Sequence, residues 1–295
     1  MTADLGPGVG GADLGGLAAV VTGSSRGLGR AFAEALAAAG ASVVVNGRDP
    51  AAADSVVAAI TARGGTAIAC AGSVADPHFC GQLVQGCVDT FGGIGLLVNN
   101  AGLTRDRSMT RMTAGEFDEV TDVHLRGTWA CGAAAARAMR GSGGRIVNIT
   151  SGAGLFGMFG QANYAAAKAG IIGLTRVMDL ELRRFGIAVN ALAPVARTDM
   201  TAVFDDGAVA HQLPFPPPES VAPIVVYLAG DTGSHLHGQV LSFDGTQLSV
   251  WSHPEATSSW IRPDGWAAGT FTEVLSREVM EYPHPDRWGR GVLGG

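Results

Sequence analysis

The hydrophobic pattern of the chain alternates between short runs of mainly β-branched residues and longer stretches rich in alanine. Several of the short runs are apolar at every position, which is typical of parallel strands covered on both faces. Seven strands are predicted at Leu17–Thr22, Ser42–Asn46, Thr66–Cys70, Leu96–Asn99, Arg145–Ile149, Ile187–Ala191 and Gln239–Phe243. Helices are predicted between them, at about residues 28–39, 51–63, 77–91, 114–140, 163–185 and 219–229. This alternation favours a single α/β domain with a doubly wound parallel sheet and helices on both faces.

The two ends of the chain lie outside this alternation. Residues 1–16 are predicted to form a flexible leader, since they lack the basic start and the apolar core of a secretory signal. Residues 17–248 form the predicted domain, in which a loop at about 199–218 is expected to act as a lid over a substrate. Residues 249–295 contain four of the five tryptophans and are interpreted as a tail. Such a tail either covers a pocket of this or a neighbouring subunit, or packs as an ordinary terminal segment.

Composition and charge narrow the range of functions. Hydrophobic residues make up 47% of the 295 residues and charged residues 16%, a mixture that supports a packed core. The net charge of -6 provides no basic surface for nucleic acid, and no apolar run reaches the ~20 residues that a membrane span needs. The four cysteines include no CxxC pair, which favours free thiols in a reducing cytoplasm. His235 and His237 have no third ligand nearby and are interpreted as loop residues, so no metal site is predicted.

A glycine-rich segment follows the first predicted strand directly and precedes a helix. It reads Thr22-Gly23-Ser24-Ser25-Arg26-Gly27-Leu28-Gly29. Gly23 can adopt the positive φ of a tight turn, Gly27 lets the backbone approach a pyrophosphate, and Gly29 lets the helix pack closely on the sheet. The helix N-terminus then offers unpaired N–H groups to the anion. A dinucleotide site is therefore predicted, with contacts from Gly23, Ser25, Arg26, Gly27, Leu28 and Gly29; the alternative is a turn without a ligand.

Tyr164 and Lys168 stand four residues apart in a predicted helix, which places both side chains on one face. A free tyrosine has a pKa near 10 and is a poor base at neutral pH. An adjacent ammonium, helped by an oxidised nicotinamide, favours the phenolate, so Tyr164 could exchange a proton with a carbonyl or alcohol oxygen. Lys168 could also hold the nicotinamide ribose. The alternative is an amphipathic helix that carries a surface lysine.

Three further features accompany this pair in a fixed order. Ser151 stands thirteen residues before Tyr164, Asn99-Asn100-Ala101-Gly102 follows the fourth strand, and Pro194 follows the sixth. Together with the GxxxGxG spacing of the glycine segment, these motifs resemble the short-chain dehydrogenase/reductase family over roughly residues 17–247. The resemblance implies a Rossmann-like sheet and an oxidoreductase that interconverts a carbonyl and a secondary alcohol with NAD(P)(H).

The resemblance also implies roles for residues outside the glycine loop. Ser151 would orient the substrate oxygen and stabilise developing negative charge. The implied further cofactor contacts are Ser73, Val74, Asn100, Ala101, Gly102, Tyr164, Lys168, Pro194, Val195 and Thr198. At the position of Ser73 the family often carries an Asp that contacts the adenine. The change to Ser weakens this expected contact.

Two departures from the family pattern affect the expected chemistry. His124 stands where the family usually has the Asn of a proton relay. A neutral histidine could pass a proton or hold a water there, and the alternative is a helix-bend histidine without a catalytic role. Where the family usually has Pro-Gly after the sixth strand, this chain has Pro194-Val195. The segment from there to Thr198 is one residue shorter than in the family.

The cofactor is predicted from the end of the second strand, which reads Asn46-Gly47-Arg48-Asp49. An acid in this region binds the ribose 2′-hydroxyl of NAD, whereas arginine accommodates the 2′-phosphate of NADP. Gly47 occupies the place at which NAD-preferring family members tend to carry Asp, and Arg48 and Arg26 could pair with a phosphate. NADP(H) is therefore predicted, with NAD(H) possible if Arg48 is only a solvated charge and Asp49 binds the ribose.

Three runs suggest a substrate class: Leu103–Ser108, Val123–Gly127 and Phe159–Tyr164. They resemble the (3R)-hydroxyacyl-CoA dehydrogenase part of the peroxisomal multifunctional enzyme type 2 and bacterial relatives, which include 3-oxoacyl reductases and 17β-hydroxysteroid dehydrogenases. This subgroup often uses NAD, in conflict with the prediction from Arg48. The resemblance implies a 3-oxoacyl/3-hydroxyacyl thioester, with CoA as one carrier. The alternatives are a hydroxysteroid dehydrogenase and a non-catalytic dinucleotide-binding sensor or scaffold.

Further side chains are expected around the substrate. Residues 105–107 (Arg-Asp-Arg) could form a charged rim for a CoA or carrier phosphate, or instead an internal salt-bridge cluster. Phe156, Met158 and Phe159 could line an apolar pocket or belong to the core. The small-residue helices at 114–140 and 163–185 could form a subunit interface, as in similar proteins, which predicts a homodimer or homotetramer.

Overall fold

The computed structural model describes residues 12–197, 215–254, 256 and 259–274. It divides the chain into two compact units, Met1–Trp251 and Ser252–Gly295. The first unit contains an eight-stranded sheet with the strand order β3-β2-β1-β4-β5-β6-β7-β8. The strands are β1 Ala18–Val21, β2 Ser42–Gly47, β3 Thr66–Ala71, β4 Leu96–Asn99, β5 Gly144–Ile149, β6 Ile187–Pro194, β7 Val240–Phe243 and β8 Leu248–Trp251. Every neighbouring pair is parallel except β7 and β8, so the predicted doubly wound, Rossmann-like α/β class is confirmed.

Helices cover both faces of this sheet. They are α1 Gly27–Ala38, α2 Pro50–Ala62, α3 Pro77–Phe91, α4 Ala114–Thr121, α5 Gly127–Ala138, α6 Gly152–Phe156, α7 Ala162–Leu182, α8 Pro218–Val221 and α9 Pro223–Ala229. Successive residues of a strand point to opposite faces. Val21 of β1 therefore packs in one hydrophobic core with Phe32 of α1, and Val20 packs in the other with Leu83 of α3. None of the helices in the described part of the chain is long and apolar enough to cross a membrane.

The predicted helix at 114–140 is not continuous. A π-helical turn at Asp122–Arg126 separates α4 from α5. Such a turn inserts an extra residue into the hydrogen-bond ladder and often marks a functional site. Within it the side chain of His124 is almost completely buried, and the Thr128 hydroxyl donates a hydrogen bond of 2.6 Å to the His124 carbonyl oxygen.

The sheet contains one more strand than the seven predicted. β8 at Leu248–Trp251 runs antiparallel to β7 and pairs Val240 with Trp251. The turn before it is held by Asp244, whose carboxylate accepts hydrogen bonds from the Thr246 and Gln247 N–H groups at 2.8 and 2.6 Å. β8 is an edge strand on which Leu248 and Val250 are exposed, so its sequence lacks the continuous apolar run that is typical of the buried strands.

The second unit is described by itself. Its described residues include a short 3-10 helix at Ala268–Glu273. Trp266 stacks on Phe271 with ring centroids 5.1 Å apart, and the Arg262 guanidinium lies 5.2 Å from the centre of the Trp266 ring.

A buried acid joins α7 to the last parallel strands of the sheet. Asp179 is 1% exposed, and its carboxylate contacts the Arg183 guanidinium, His237 Nδ1 at 2.8 Å and the Val189 N–H at 3.2 Å. Burial acts to raise the pKa of Asp179, but the hydrogen bonds from Arg183, His237 and Val189 hold it below its usual value. His237, which the sequence assigned to a loop, therefore has a structural partner.

We expect Asp179→Ala to lower the free energy of unfolding by about 2–4 kcal/mol, because the change removes a buried ion and leaves its partners unpaired. A carboxyl with a lowered folded pKa stabilises the fold above its unfolded pKa and loses this effect as pH falls through the folded value. The wild type should therefore lose more stability on acidification than the variant does. Urea unfolding at neutral and acidic pH measures both effects.

Asp122→Ala is the matched control, since Asp122 forms an equivalent i,i+4 ion pair with Arg126 at 2.8 Å on the surface. Exposed pairs of this kind contribute about 0.5 kcal/mol or less. Equal losses of stability in the two variants would contradict the structural role of Asp179.

Candidate active site

A cleft of about 470 Å³ lies at the carboxyl ends of the parallel strands. This is where ligands bind in open α/β sheets. Most of the predicted site residues line it together. They are Gly23, Ser25, Arg26, Gly27, Leu28, Gly29, Arg48, Ser73, Val74, Asn100, Ala101, Gly102, His124, Ser151, Tyr164, Lys168 and Pro194.

One predicted residue is placed differently, and another lies outside the described residues. Val195 does not line the cleft; its N–H donates a hydrogen bond of 2.9 Å to the Phe243 carbonyl, which continues the pairing of β6 with β7. Ala196 lines the cleft in its place. Thr198 lies outside the described residues, as does residue range 199–214 of the predicted lid.

Apart from Gly47 and Asp49, which the cofactor prediction already considered, the cleft contains residues that the sequence reasoning missed. They are Asn46, Ala52, Gly72, Leu103, Val123, Ile149, Thr150 and Ala196. Most of them directly adjoin a predicted site residue at the end of a strand. The rule that all these strand ends meet at one edge could have found them.

The glycine loop is compact because side chains are excluded at two of its positions. Gly23 has a φ of +62°, and a Cβ there would lie 2.6 Å from the Ala101 Cα atom. A Cβ on Gly29 would lie 2.3 Å from the Gly23 carbonyl oxygen and 2.5 Å from Asn100 Nδ2. Gly29 therefore lets the start of α1 approach Gly23 and Asn100, which follow β1 and β4 at the edge of the sheet.

The turn after β4 is fastened to this loop by hydrogen bonds. Thr22 Oγ1 accepts from the N–H groups of Asn100 and Ala101 at 2.9 and 3.0 Å. The Asn100 amide donates to the carbonyl oxygens of Thr22 and Gly23 at 2.9 and 3.1 Å. Two segments that are 78 residues apart in the sequence therefore form one rigid wall of the cleft.

The loop offers room and donors for an anion. A Cβ on Gly27 would meet no protein atom within 4 Å, so the space beside it is free for a ligand. Arg26 is the N-cap of α1, and its side chain makes no capping hydrogen bond. The first N–H groups of α1 can therefore face a phosphate, as helix N-termini commonly do. The residues present thus fit the pyrophosphate of a dinucleotide.

Helix α7 is held against β5, which fixes the position of Tyr164 and Lys168. The Thr150 hydroxyl donates a hydrogen bond of 2.8 Å to the Lys168 carbonyl oxygen. The Asn148 amide donates to the Thr175 hydroxyl at 2.9 Å, two turns farther along α7. These buried bonds determine both the register and the rotation of the helix relative to the strand.

Lys168 is buried rather than on the surface, so the alternative of a surface lysine is wrong. Its side chain is only 3% exposed. Its Nζ atom donates a hydrogen bond of 2.6 Å to the Ile149 carbonyl and lies 5.5 Å from the centre of the Tyr164 ring. Burial lowers the pKa of Lys168 to about 7, because desolvation disfavours the ammonium.

The Tyr164 hydroxyl does not have the lowered pKa that the sequence argument expected. Burial raises the pKa of Tyr164, and the charge of Asp106 acts in the same direction, whereas a hydrogen bond with Ser151 acts against them. None of the causes of this shift comes from Lys168, so the pairing with Lys168 does not lower the pKa of Tyr164 as the sequence predicted. Tyr164 therefore keeps its proton at neutral pH and is ready to donate it.

His124 lies beside this group and is neutral. Burial and, second, the charge of Lys168 lower the pKa of His124 to about 3. Its ring meets the Tyr164 ring edge-on, with centroids 5.1 Å apart. His124 Nε2 lies 2.7 Å from the Leu103 carbonyl oxygen and 3.0 Å from the Leu103 nitrogen, so this ring nitrogen faces both a backbone acceptor and a backbone donor.

Nδ1 of His124 is buried and has no hydrogen-bond partner among the described residues. His124 thus lies at a bend between two helices, as the alternative of a helix-bend histidine predicted. It can accept a proton or a hydrogen bond but cannot act as a charged acid at neutral pH.

The charged residues at 105–107 pair internally. Arg105 binds Glu119 at 2.8 Å, and Arg107 binds Glu116 at 2.7 Å. Asp106 accepts a hydrogen bond of 2.8 Å from the Gln161 amide. This is the internal cluster given as the alternative to a phosphate-binding rim.

The aromatic and sulfur side chains between Ser151 and Tyr164 do not line the cleft. Met158 and Phe159 are exposed, Phe159 to 94%. Phe156 packs edge-on against Trp251, with ring centroids 5.1 Å apart. The expected apolar substrate pocket is therefore not formed by these three residues. The described residues contain no cluster of three or more potential metal ligands, and the four cysteines are free.

Comparison with known proteins places this site in a family. Residues 17–208 match the model of the short chain dehydrogenase family. The chain is 44% identical over 234 residues to a 3-oxoacyl-[acyl-carrier-protein] reductase of Synechocystis sp., covering 77% of this chain and 95% of that protein. It is 41% identical over 261 residues to hydroxyacyl-CoA dehydrogenase ChsB1 of Mycobacterium tuberculosis, covering 82% and 81%.

A solved structure and a longer enzyme agree with these matches. A short chain dehydrogenase from Mycobacterium avium superimposes with a TM-score of 0.81 at 40% identity, covering 89% of this chain and 94% of that chain. The resemblance to the peroxisomal multifunctional enzyme type 2 is also confirmed: the Mus musculus enzyme is 41% identical over 223 residues, which are 72% of this chain and 30% of that enzyme. The chain belongs to the short-chain dehydrogenase family and is an oxidoreductase.

Proposed function

We propose that this chain reduces 3-oxoacyl thioesters to 3-hydroxyacyl thioesters and prefers NADP(H) as its cofactor. The observation that carries this proposal is the meeting of Ser151, Tyr164 and Lys168 in one cleft, where the protonated phenol can donate to a substrate oxygen during reduction. The substrate class is supported by two relatives, whose names describe a 3-oxoacyl-carrier reductase and a hydroxyacyl-CoA dehydrogenase.

The residues of the chain divide the work on the substrate carbonyl. Ser151 and Tyr164 line the cleft together and can both bind its oxygen. When a nicotinamide cofactor is bound, it supplies the hydride that adds to the carbonyl carbon. As the carbon–oxygen π bond breaks, Tyr164 gives its proton to the oxygen and later regains one from solvent. The Lys168 Nζ atom stays anchored on the Ile149 carbonyl and stabilises the transient phenolate.

The preference for NADP(H) is proposed from the residues at the adenosine end of the cleft. Arg26 and Arg48 are exposed at its lip, where they can reach a 2′-phosphate. Asp49 is engaged elsewhere, because its Oδ1 atom accepts hydrogen bonds from the N–H groups of Ala51 and Ala52 at 3.0 and 3.4 Å at the start of α2. Its role as the ribose-binding acid is therefore disfavoured.

We expect Arg48→Asp to weaken NADPH binding by roughly 10-fold and to leave NADH binding within about 3-fold, because a charge-assisted phosphate contact is lost. Fluorescence titration of both cofactors measures this. Arg111→Asp is the control, since Arg111 is exposed and does not line the cleft. Equal or tighter binding of NADH than NADPH by the wild type would end the NADP(H) proposal.

The substrate proposal is tested by turnover of a 3-oxoacyl-CoA, a 3-oxoacyl carrier protein, a 17-ketosteroid and a small ketone with each cofactor. We expect reduction of at least one thioester and a kcat/KM for it above that for the steroid. Turnover of the steroid alone would contradict the thioester proposal. Absence of turnover with every substrate, with cofactor binding retained, would instead indicate a sensor or scaffold.

The assembly and location of the chain stay predictions. Trp129 of α5 and Leu180 of α7 are exposed to 54% and 75%, which supports a homodimer or homotetramer formed through these helices. The cytoplasmic location likewise stays a prediction, as do the leader at 1–16, the lid at about 199–218 and the tail at 249–295.

A further inference from the structure

The end of β2 meets the glycine loop at a single tight contact. Gly47 is buried and faces Ser25, and both residues line the adenosine end of the cleft. A Cβ on Gly47 would lie 2.5 Å from Ser25 Oγ and 2.8 Å from Ser25 Cβ. Gly47 is not among the glycines with positive φ, so its backbone conformation would accept any residue. The neighbouring serine alone excludes a side chain at this position.

Rotation of the serine hydroxyl would not remove the conflict. Ser25 Oγ could turn away, but Ser25 Cβ is fixed by the backbone of the loop and would still lie within 2.8 Å of the new atom. Real Cβ atoms essentially never approach a neighbour this closely, because the repulsion rises steeply at such distances. Admission of a side chain at position 47 therefore requires the loop itself to move.

The loop is held in place by buried hydrogen bonds that resist this movement. Ser24 and Asn46 are 0% and 1% exposed. The Ser24 N–H donates to the Asn46 carbonyl at 2.7 Å, and the Asn46 N–H donates to Ser24 Oγ at 2.9 Å. The Asn46 side chain also accepts from the Gly23 N–H at 3.1 Å and donates to the Cys70 carbonyl at 3.0 Å. Ser25 and Gly47 directly follow these two anchored residues.

This contact bears on cofactor choice, because the end of the second strand is where an acid can bind the ribose of NAD. We propose that Ser25 and Gly47 form a steric pair that determines cofactor specificity. While Ser25 is present, no acidic side chain fits at position 47. The 2′-position of the ribose is then contacted only by Arg26 and Arg48 at the lip of the cleft. Removal of the Ser25 side chain opens the room in which an acid at position 47 can bind the ribose hydroxyls. The inference rests on the proposed NADP(H) preference and names the residues that enforce it.

The steric part of the proposal is tested by protein stability, without cofactor or substrate. We expect Gly47→Ala to lower the melting temperature by several degrees and Ser25→Gly to restore most of this loss in the double variant. Gly86→Ala is the control, because a Cβ on Gly86 in α3 would meet no atom within 4 Å. An unchanged melting temperature in Gly47→Ala, or effects that simply add in the double variant, would overturn the proposal.

The specificity part is tested by fluorescence titration of NADH and NADPH. Gly47→Asp alone should weaken both cofactors, because the loop is displaced. Ser25→Gly combined with Gly47→Asp should shift the ratio of the NADH to the NADPH dissociation constant by about 100-fold towards NADH, from one gained carboxylate–hydroxyl contact and one phosphate repulsion of about 10-fold each. Ser25→Gly combined with Gly47→Ala is the uncharged control and should gain no affinity for NADH.

A switch to NADH by Gly47→Asp alone, equal to that of the double variant, would overturn the steric pair. Failure of the proposed function gives a different result. A wild type that binds NADH as tightly as NADPH ends the NADP(H) preference, and lack of thioester turnover ends the substrate assignment. Neither result alters the stability coupling between positions 25 and 47.

Discussion

Tyr164→Phe is expected to lower kcat by about 1,000-fold while it leaves the dissociation constant for NADPH within roughly 3-fold. The variant lacks only the hydroxyl that gives its proton to the substrate oxygen. The ring itself, which meets the His124 ring edge-on at 5.1 Å, is kept, so the cleft should retain its shape. Steady-state turnover of a 3-oxoacyl-CoA, together with fluorescence titration of the cofactor, measures the two quantities separately.

Tyr227→Phe is the matched control, since Tyr227 is a partly exposed tyrosine whose hydroxyl donates to the Thr232 carbonyl at 3.3 Å. It should keep full activity. Equal turnover by Tyr164→Phe and the wild type would remove Tyr164 from the mechanism.

Lys168→Met is expected to lower turnover strongly and yet raise stability. Loss of the positive charge beside Tyr164 should lower kcat/KM by about 100-fold or more. The same charge is costly to bury, and replacement of buried ions by apolar residues of similar volume often stabilises a protein by about 1–4 kcal/mol. Activity assays and urea unfolding of the same samples test both expectations. An inactive variant that is less stable than the wild type would contradict the expectation that burial of the Lys168 ammonium lowers the stability of the fold.

The stability gain should depend on pH in a defined direction. Burial lowers the pKa of Lys168 from 10.5 to about 7 in the folded state, so the unfolded chain binds the extra proton throughout this window. The cost of burial is therefore fully present below pH 7, and the stability of the wild type rises towards pH 10.5 as that cost disappears. The advantage of Lys168→Met should shrink over the same range.

Lys168 is the only lysine in the chain. Selective isotope labelling of lysine therefore gives a single side-chain signal, and its titration by NMR reports this pKa directly. A midpoint near 7 is expected, and a midpoint near 10.5 would contradict the lowered value.

The sequence predicted the sheet well because its strands are buried on both faces and therefore appear as continuous apolar runs. It also predicted one site from the glycine loop, the Asn99–Gly102 turn and the side chains of Ser151, Tyr164 and Lys168. These residues follow strands whose carboxyl ends meet at one edge of the sheet. β8 was missed because it is a short edge strand in which Leu248 and Val250 are exposed. The π-helical turn at His124 was missed because α4 and α5 share one compatible helical pattern.

The features that sequence could not supply depend on contacts between distant residues. The direction of the Tyr164 pKa shift follows from how deeply the phenol is enclosed, and spacing along a helix does not reveal this. The contact between Ser25 and Gly47 is likewise invisible along the chain, since 21 residues separate them.

The proposed reduction of a 3-oxoacyl thioester is tested most directly by following the transfer of the cofactor's hydrogen to the substrate carbon. The wild type is incubated with a 3-oxoacyl-CoA and NADPH in which both hydrogens on the reactive carbon of the nicotinamide ring are deuterium. We expect a 3-hydroxyacyl-CoA with one deuterium on its alcohol carbon, and a loss of this product in Tyr164→Phe. Oxidation of NADPH without deuterium in the product, or an equal yield from Tyr164→Phe, would contradict it.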